Sequence, residues 1–363
     1  MGNVPHLRFP EFSGEWKKCK LGDLCNVLMC KRILVSQTNT EDGVPFYKIG
    51  TIGSTPDAYI SKELFDDYKV KYNYPRKGEV MITCAGTVGK CVVYDGEDAY
   101  FQDSNIVWID NPTQYISNGF LFHLLSKVDW RKLNSTTIIR IYNDDLRNLK
   151  MSYPRKEEQQ KISHLLSLLD ERIATQNKII YKLKSLIRGI AQNMVHRGKP
   201  NVRLSDCMIC NSSTLQESEV LESGTYPVYG ANGIVGYLDC YATLNEAIYI
   251  IKDGSGVGTV FYVAGKCSAA GTLNTLQAKE GYSLQYLYYL LTVFNFEPYK
   301  TGMAIPHIYF KDYGKAKVFC PSHSEQFKYT KLLSTIDSKL LAEQNALVNY
   351  NLQKQYLLRQ MFI

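Results

Sequence analysis

Residues 154–173 read PRKEEQQKISHLLSLLDERI, and residues 321–340 read PSHSEQFKYTKLLSTIDSKL. The two stretches align at a constant offset of 167 positions. The pairs matched at this offset are Tyr142 with Tyr309, Pro154 with Pro321, Gln159 with Gln326, Leu166 with Leu333, Asp170 with Asp337 and Met194 with Met361. Self-similarity at a fixed offset indicates a duplicated structural unit. The chain is therefore predicted to consist of two similar halves.

The first copy opens a long helical pattern. From Glu157 to His196 there is no proline, and apolar residues recur at alternating spacings of three and four. Such a heptad pattern predicts a coiled-coil helix, and about 38 residues at 1.5 Å each reach roughly 57 Å. A lone helix of this kind would expose its apolar stripe, so it needs a long partner. The apolar seam residues are Leu166, Leu169, Ile173, Ile180, Leu183, Ile187 and Ile190.

The second copy supplies this partner with a less regular seam. Gln176 and Glu343 fall at equivalent seam positions, and Lys354 interrupts the second seam. A polar residue in an apolar seam costs stability but can fix register and orientation. The alternative is that either polar residue faces solvent where the helix drifts. The apolar seam residues of the second helix are Leu333, Ile336, Leu340, Leu347 and Leu357.

The segments that precede the two helices also correspond. GEVMITCAGTVGKCVVYDG (78–96) parallels EAIYIIKDGSGVGTVFYVAG (246–265), and each predicts two strands joined by a glycine-rich turn. NIVWID (105–110) predicts a further strand. ISNGFLFHLLSKVDW (116–130) predicts a helix and parallels YSLQYLYYLLTVF (282–294). The predicted order is domain, long helix, domain, long helix.

Composition places the protein in a broad class. An apolar content of 45% and a charged content of 21% are typical of a globular protein. No run of 18 or more apolar residues appears, and the first residues lack a signal-peptide pattern, so the expected compartment is the cytoplasm and no membrane partner is predicted. The net charge of +7 permits a polyanionic partner without requiring one.

Catalytic and metal-binding motifs are not evident. The turns AGTVGK and GSGVGT lack the Lys-Ser/Thr pair of a phosphate loop, so a nucleotide-dependent enzyme is disfavoured. Cys207 and Cys210 have CxxC spacing, but no second pair completes a zinc site. The ten cysteines are expected to be reduced thiols. We therefore predict no catalytic residue, no metal and no cofactor.

Tyrosine and phenylalanine are frequent, at 27 and 14 residues, and many lie beside Gly, Asn, Lys or Ser. This mixture is typical of a recognition surface, although single tyrosines can equally be half-buried strand residues. Asn and Gln can pair with adenine, and Arg or Lys with guanine. The candidate DNA-binding residues are Tyr47, Lys48, Thr51, Thr87, Lys90, Gln102, Ser104 and Asn105 in the first half, and Tyr229, Asn232, Lys252, Ser255, Lys300, Thr301 and His307 in the second.

Several of these stretches carry a family resemblance. The pattern PxxEEQxKIxxLLSxLDxxI (154–173) resembles the first conserved region of type I restriction–modification specificity subunits, and residues 321–340 resemble the second. YPVYGANGIVGY (226–237) and TGMAIPHIYFKD (301–312) resemble the target-recognition domains of that family. The second copy departs from the family pattern where SHSEQFKYTKLL replaces the acidic cluster.

The resemblance implies an α+β fold in which two similar mixed α/β target-recognition domains are separated by two long helices that pair as an antiparallel coiled coil, with a pseudo-twofold internal repeat. The implied boundaries are domain 1 at 1–154, helix 1 at 155–199, domain 2 at 200–321 and helix 2 at 322–363. The implied function is a non-catalytic subunit that binds a bipartite double-stranded DNA target. Methyltransferase (M) and restriction/translocase (R) subunits are the implied protein partners.

Geometry is compatible with this interpretation. Half-sites read from one face of DNA lie about one helical turn apart, roughly 34–36 Å, which helices of roughly 57 Å can span. An alternative is a two-headed protein-interaction scaffold with the coiled coil as a rod. We expect Lys48, Lys90, Lys252 and Lys300, beside polar loop residues, to distinguish a DNA-binding protein from such a scaffold.

Overall fold

The computed structural model describes residues 2–103, 105–133 and 140–363, and the chain divides into two units. Unit 1 comprises Met1–Thr175 and Leu347–Ile363, and unit 2 comprises Gln176–Ala346. Each unit contains a mixed α/β segment together with part of both long helices. The domain boundaries predicted from the sequence separate the long helices from the domains, whereas each unit here contains parts of both helices. Those boundaries remain a prediction.

Unit 1 is built from short strands and helices that precede the first long helix. In chain order they are β1 (Lys17–Lys20), β2 (Asn26–Leu28), β3 (Thr38–Asn39), β4 (Val44–Tyr47), β5 (Tyr59–Ile60), α1 (Lys62–Lys71), β6 (Val80–Thr83), β7 (Cys91–Val93), β8 (Tyr100–Phe101), β9 (Ile106–Asp110), α2 (Asn118–Lys127), α3 (Trp130–Leu133), α4 (Asn143–Arg147), β10 (Lys150–Tyr153) and the long helix α5 (Lys156–His196).

Unit 2 repeats this order with small changes. Its elements are β11 (Val202–Arg203), α6 (Leu204–Cys207), β12 (Met208–Ser212), β13 (Tyr226–Gly230), β14 (Gly233–Leu238), β15 (Glu246–Ile251), β16 (Val260–Ala264), β17 (Ser268–Ala269), β18 (Leu273–Ala278), α7 (Leu284–Val293), α8 (Phe310–Tyr313), β19 (Lys317–Val318) and the long helix α9 (His323–Met361).

Both units share the topology of the main sheet and one parallel strand pair, while the second sheet has four strands in unit 1 and three in unit 2. The main sheet has the order β2-β9-β6-β7 in unit 1 and β12-β18-β15-β16 in unit 2, and all neighbouring strands are antiparallel. A second sheet contains one parallel pair, β4 with β8 in unit 1 and β13 with β17 in unit 2. A two-stranded ribbon, β1 with β10 or β11 with β19, lies just before each long helix. The duplicated sequence therefore folds into a duplicated topology.

The central strands explain why the sheets form where they do. Every residue of β6 is buried, and β9 is buried from Ile106 to Ile109. A short, continuous apolar run of this kind is typical of a strand covered on both faces. The predicted strand pair at 78–96 is present as β6 and β7, which pair from Val80 to Ile82, and NIVWID is present as β9.

Helix α2 covers the main sheet of unit 1, and helix α7 does so in unit 2. Ser117 caps α2 by accepting a hydrogen bond from the Phe120 N–H, and Ser283 caps α7 through the Tyr286 N–H, both at 3.3 Å. The predicted helix is present but ends at Lys127. Val128 adopts an extended conformation as the C-terminal cap and packs against the core from outside the helix.

The long helices pair in antiparallel orientation within each unit. In unit 1, Asp170 of α5 contacts Lys354 of α9 at 2.5 Å, and Arg172, two residues further along α5, donates to Tyr350 at 3.1 Å. In unit 2, Gln176 contacts Glu343, and Arg197, just after α5, contacts Tyr329 at 2.5 Å. Contacts nearer the C-terminus of α5 are therefore made with residues nearer the N-terminus of α9. The predicted antiparallel pairing and the α+β fold class are confirmed.

A buried glutamine fastens the start of each long helix to its domain. The Gln159 amide donates to Pro154 O at 2.9 Å, and its Oε1 accepts from Ser117 N at 2.7 Å. Gln326 makes the equivalent bonds with Pro321 O and Ser283 N, both at 2.9 Å. Buried amides require such partners, because an unpaired polar group costs free energy inside a protein. The repeated Pro and Gln of the sequence therefore form one repeated junction.

Candidate nucleic-acid interface

Three loops of unit 1 meet at one surface. We define the unit 1 loop surface as residues 48–53, 84–90, 102–103 and 105. The Thr87 hydroxyl donates to Ile49 O at 3.3 Å, Gln102 Oε1 accepts from Ile49 N at 3.4 Å, and Lys90 Nζ donates to Ile52 O at 2.5 Å. Tertiary structure thus brings together candidates that are more than 50 residues apart in the sequence.

The candidate residues in or beside the loop 48–53 already form contacts within the chain. Lys48 is half-exposed and forms an ion pair with Asp57 at 2.9 Å. Thr51 accepts a hydrogen bond from Lys48 N at 3.0 Å, so its hydroxyl shapes the turn. Tyr47 precedes the loop, and its half-buried ring stacks on Phe101 with a centroid distance of 6.0 Å. Burial raises the pKa of Tyr47, which keeps its hydroxyl neutral.

The remaining unit 1 candidates differ in accessibility. Thr87 is exposed, whereas Lys90 and Gln102 are half-buried. Asn105 is half-buried, and its carbonyl accepts from Cys84 N at 2.8 Å, which connects it to the second loop. Ser104 lies outside the described residues.

Unit 2 brings a second group of candidates together. We define the unit 2 loop surface as residues 252–258 and 300–307. Ile308 N donates to Lys252 O at 2.9 Å, and Gly254 N donates to Pro306 O at 2.9 Å. Ser255 is exposed within the first of these loops. Lys252 Nζ donates to Ser213 O at 3.3 Å.

The second loop of this surface is a hydrogen-bonded hairpin. Thr301 and His307 exchange two main-chain hydrogen bonds at 2.9 and 2.8 Å. Gly302 has a φ of +89°, in the left-handed region that favours glycine. Lys300 forms an ion pair with Glu297 at 2.6 Å. The hairpin therefore presents a defined tip rather than a loose loop.

Two candidates of unit 2 lie elsewhere. Asn232 is exposed in the turn between β13 and β14, and Tyr229 lies half-buried in β13 beside Tyr249, with ring centroids 6.0 Å apart. Burial raises the pKa of Tyr229. The described hydrogen bonds do not link either residue to the unit 2 loop surface.

The four lysines expected to distinguish a DNA-binding protein from a scaffold all form ion pairs or hydrogen bonds within the chain. Lys48 and Lys300 pair with carboxylates, and Lys90 and Lys252 donate to main-chain carbonyls. Their position in polar loops is therefore explained by loop structure alone. These four lysines therefore do not distinguish a DNA-binding protein from a scaffold.

Sequence reasoning missed two features of these surfaces. Arg32 forms an ion pair with Asp103 at 2.9 Å, beside Gln102. Met303 and Ile305 form an exposed apolar tip on the unit 2 hairpin. Asp103 follows the candidate Gln102 directly in the sequence, so its charge was a usable signal. The partner of Arg32 is 71 residues away, and nothing local predicts it.

The helix seam is closed along both long helices. Leu166, Ile180 and Leu333 are buried. The other predicted apolar positions are half-buried, and these are Leu169, Ile173, Leu183, Ile187, Ile190, Ile336, Leu340, Leu347 and Leu357. An apolar seam covered in this way stabilises the pairing through the hydrophobic effect.

The polar seam positions are satisfied rather than turned to solvent. Gln176 is only 3% exposed, and its amide donates to Glu343 O at 3.0 Å and also contacts the Glu343 carboxylate. Lys354 is paired with Asp170. Each polar residue therefore meets a specific partner, as expected if polar seam residues select the register.

Among the described residues there is no group of three or more His, Cys, Asp or Glu side chains that could hold a metal ion. No helix within the described ranges is sufficiently long and apolar to span a membrane. Burial raises the pKa of Cys84 and of Cys91 to about 12, so both thiols stay protonated at neutral pH.

The fold and the loops define a class of protein with a duplicated α+β domain, each copy followed by one of two paired long helices. The chain belongs to the family described as the type I restriction modification DNA specificity domain. The family model matches residues 13–185 and 199–350, which together cover most of the chain. The predicted family resemblance is confirmed.

Individual relatives carry the same family description. A Haemophilus influenzae protein named as a type I restriction enzyme specificity subunit is 49% identical over 163 residues, which cover 45% of this chain and 42% of that protein. The Escherichia coli type I restriction enzyme EcoprrI specificity subunit is 26% identical over 117 residues, or 32% of this chain and 29% of the relative. The chain thus spans less than half the length of these curated relatives.

Solved structures share the fold over nearly the whole chain. The type I restriction-modification system S subunit from M. genitalium superposes with a TM-score of 0.68 at 18% identity, covering 99% of both chains. A chain from a study of complex assembly and conformational transition of the type I R-M system gives a TM-score of 0.53 at 15% identity, covering 98% of both chains. At these identities the similarity concerns the fold alone.

Proposed function

We propose that this chain is the DNA-specificity subunit of a type I restriction–modification complex. Each recognition domain reads one half of a bipartite duplex target. The observation that carries this proposal is the duplicated sheet topology with different polar loops in the two copies. Two domains of one fold and different loop chemistry suit a target with two different half-sites, because base sequence is read by side chains rather than by the fold.

The loop surfaces support this role through their chemistry. They combine side chains that carry hydroxyls at exposed positions, such as Thr87 and Ser255, with loops held together by main-chain hydrogen bonds. Rigid loops position side chains for base edges at a low entropic cost. The candidate residues, from Tyr47 to Asn105 in domain 1 and from Tyr229 to His307 in domain 2, are proposed to contact DNA within this framework.

The paired helices are proposed to hold the two domains at a fixed spacing and to dock methyltransferase subunits. The chain itself is proposed to carry no catalysis. Methylation of adenine with S-adenosylmethionine then belongs to the methyltransferase partners, and translocation and cleavage belong to restriction subunits. The family membership supports this division, since the matched family is defined by DNA specificity.

Selection from a randomised duplex library by the full chain tests the DNA-binding part. We expect two enriched half-sites separated by a gap of fixed length, and binding that weakens as salt increases because phosphate contacts release counterions. Uniform recovery of all sequences would contradict specificity. Failure to bind any duplex would favour a protein-interaction scaffold.

Methyl transfer tests the remaining part. The purified chain with S-adenosylmethionine is expected to leave the selected duplex unmodified. Addition of the methyltransferase subunit from the same source is expected to produce methyladenine within the selected sites. Methylation by the chain alone would overturn the proposed division of labour.

A further inference from the structure

Arg32 and Asp103 form an ion pair at the unit 1 loop surface. Arg32 Nε donates to Asp103 Oδ2 at 2.9 Å. The arginine side chain is 66% exposed, whereas the aspartate side chain is only 19% exposed. An exposed guanidinium is thus held by a carboxylate that is largely inside the fold. Among the described residues, no acceptor contacts Nη1 or Nη2 of Arg32, so these groups remain open for a second partner.

The pair is fastened to the candidate DNA-contacting loops. Asp103 follows Gln102, whose side chain accepts a hydrogen bond from Ile49 N, and Ile49 O accepts from Thr87. Gln102 N also donates to Tyr47 O at 2.9 Å. The carboxylate that orients Arg32 is therefore adjacent to a residue that is hydrogen-bonded, through both its side chain and its main chain, to residues in or beside the first loop.

Among the described residues, the corresponding place in unit 2 has no such ion pair. There the loop between β17 and β18 meets the loop after β12 through Gly271 N, which donates to Leu215 O at 2.6 Å. Unit 1 uses two charged side chains where unit 2 uses main-chain groups. The ion pair is therefore not required by the shared fold, and it distinguishes the chemistry of one domain from that of the other.

The local charge favours a base over a phosphate as the ligand of Arg32. Asp103 neutralises the guanidinium and repels a phosphate that approaches the same site. The O6 and N7 atoms of guanine are uncharged acceptors, and a planar guanidinium can bind both at once. A carboxylate on Nε fixes the plane of the guanidinium and leaves the terminal nitrogens to act together.

We propose that Arg32 reads one guanine of the half-site bound by domain 1 and that Asp103 is the residue that positions it. This inference rests on the proposed DNA-specificity function. It specifies the DNA base that is read and the two residues of this chain that read it. A guanine at one fixed position of that half-site is the specific ligand.

The experiment is selection from a randomised duplex library by the full chain and its variants, followed by affinity measurements on the selected duplex and on duplexes with each base at the guanine position. The variants are Arg32→Lys, Arg32→Ala and Asp103→Asn. Arg32→Lys retains the positive charge but loses the planar fork. Arg147→Lys is the matched control, since Arg147 also pairs with an aspartate, Asp144 at 3.2 Å, on the surface of unit 1.

For Arg32→Lys and Arg32→Ala we expect discrimination at one guanine position to fall on the order of 10- to 100-fold, with the rest of the target unchanged. Asp103→Asn should lower the same discrimination by less, because the amide still accepts from Nε. Arg147→Lys should leave the selected sequence unaltered. Thermal unfolding of each variant separates lost recognition from lost folding.

Two results would overturn the inference in different ways. If Arg32→Lys keeps the guanine preference, or if Arg32→Ala weakens all sequences equally, Arg32 contacts phosphate or nothing, and the proposed function still stands. If the unaltered chain selects no sequence at all, the specificity function fails together with the role of Arg32.

Discussion

The side-chain oxygen of Gln159 accepts a hydrogen bond from the main-chain N–H of Ser117 at 2.7 Å, although 42 residues separate them. Gln326 holds Ser283 in the same way in unit 2. In each unit the glutamine lies near the start of a long helix, and the serine caps the helix that covers the main sheet. This pair of contacts explains why Gln recurs at one position of the internal repeat.

Replacement of Gln159 is expected to destabilise the junction. Gln159→Ala leaves the Ser117 N–H and the Pro154 carbonyl without their partner in a buried site, which should lower the free energy of unfolding by about 1–3 kcal/mol. Denaturant unfolding measures the change. Gln160→Ala is the control, since Gln160 is exposed on the same helix and should change stability by less than about 0.5 kcal/mol. Equal effects of the two variants would refute this explanation.

His123 is expected to make stability depend on pH. The side chain is buried, with Nδ1 4.0 Å from Asp170 Oδ2, and burial lowers the pKa of His123 to about 4 against 6.5 in an unfolded chain. Asp170 raises this pKa and Lys354 lowers it. The unfolded state thus binds more protons between pH 6.5 and 4, so the contribution of His123 is complete above pH 6.5. As the pH falls toward 4, this contribution to the free energy of unfolding decreases by roughly 2–3 kcal/mol.

His123→Tyr tests this dependence because unit 2 already has a tyrosine at the corresponding place. Tyr289 donates its hydroxyl to Asp337 at 2.5 Å. The variant should unfold with a smaller change in stability between pH 6.5 and 4 than the unaltered chain. His164→Gln, at an exposed position, should leave that change nearly intact. A His123→Tyr curve parallel to that of the unaltered chain would show that His123 does not titrate in this range.

The contact between Gln176 and Glu343 is expected to be cooperative. Gln176→Leu removes the donor to a half-buried glutamate and should destabilise the protein by about 1 kcal/mol. Adding Glu343→Leu should recover most of this loss, because an apolar pair fits the seam. A double-mutant cycle on unfolding free energies measures the coupling. Additive effects would mean that the two side chains contribute independently.

Substitution of Asn232 is expected to affect one half of a DNA target only. Asn232 is exposed in the turn between β13 and β14, and an asparagine can bind adenine through two hydrogen bonds. Asn232→Ala should relax the preference at one position of the half-site read by domain 2 and leave the other half-site unchanged. Library selection measures both halves together. The control is Asn193→Ala on the exposed side of α5, and a shift in both half-sites would speak against separate reading.

Much of the architecture was predictable because its signals are local. The heptad spacing through Leu166 and Ile180 is set by helical periodicity, and the predicted antiparallel partner helix is present. The buried run at Val80–Thr83 identifies a central strand in the same way. The end of α2 was predicted too late, since Val128 continues the apolar pattern while its backbone is already extended.

The candidate interface was less predictable. The residue types in the loops correctly suggested polar surfaces. They did not indicate which side chains already form hydrogen bonds or ion pairs within the chain. Lys90 donates to Ile52 O, and Arg32 meets Asp103, through contacts that span 38 and 71 residues. Such partners depend on how distant loops meet, which no local pattern encodes.

The amino-acid sequence alone determined the duplication, the two long helices and their polar seam positions, because periodicity and an offset repeat are properties of neighbouring residues along one chain. Tertiary structure alone decided that Gln176 faces Glu343 rather than water and that the loop lysines are already bonded. It also decided that the exposed Arg32 pairs with the half-buried Asp103. The physical reason is that hydrogen bonds and ion pairs between loops require atoms to lie within about 3 Å, and only the folded chain brings them that close.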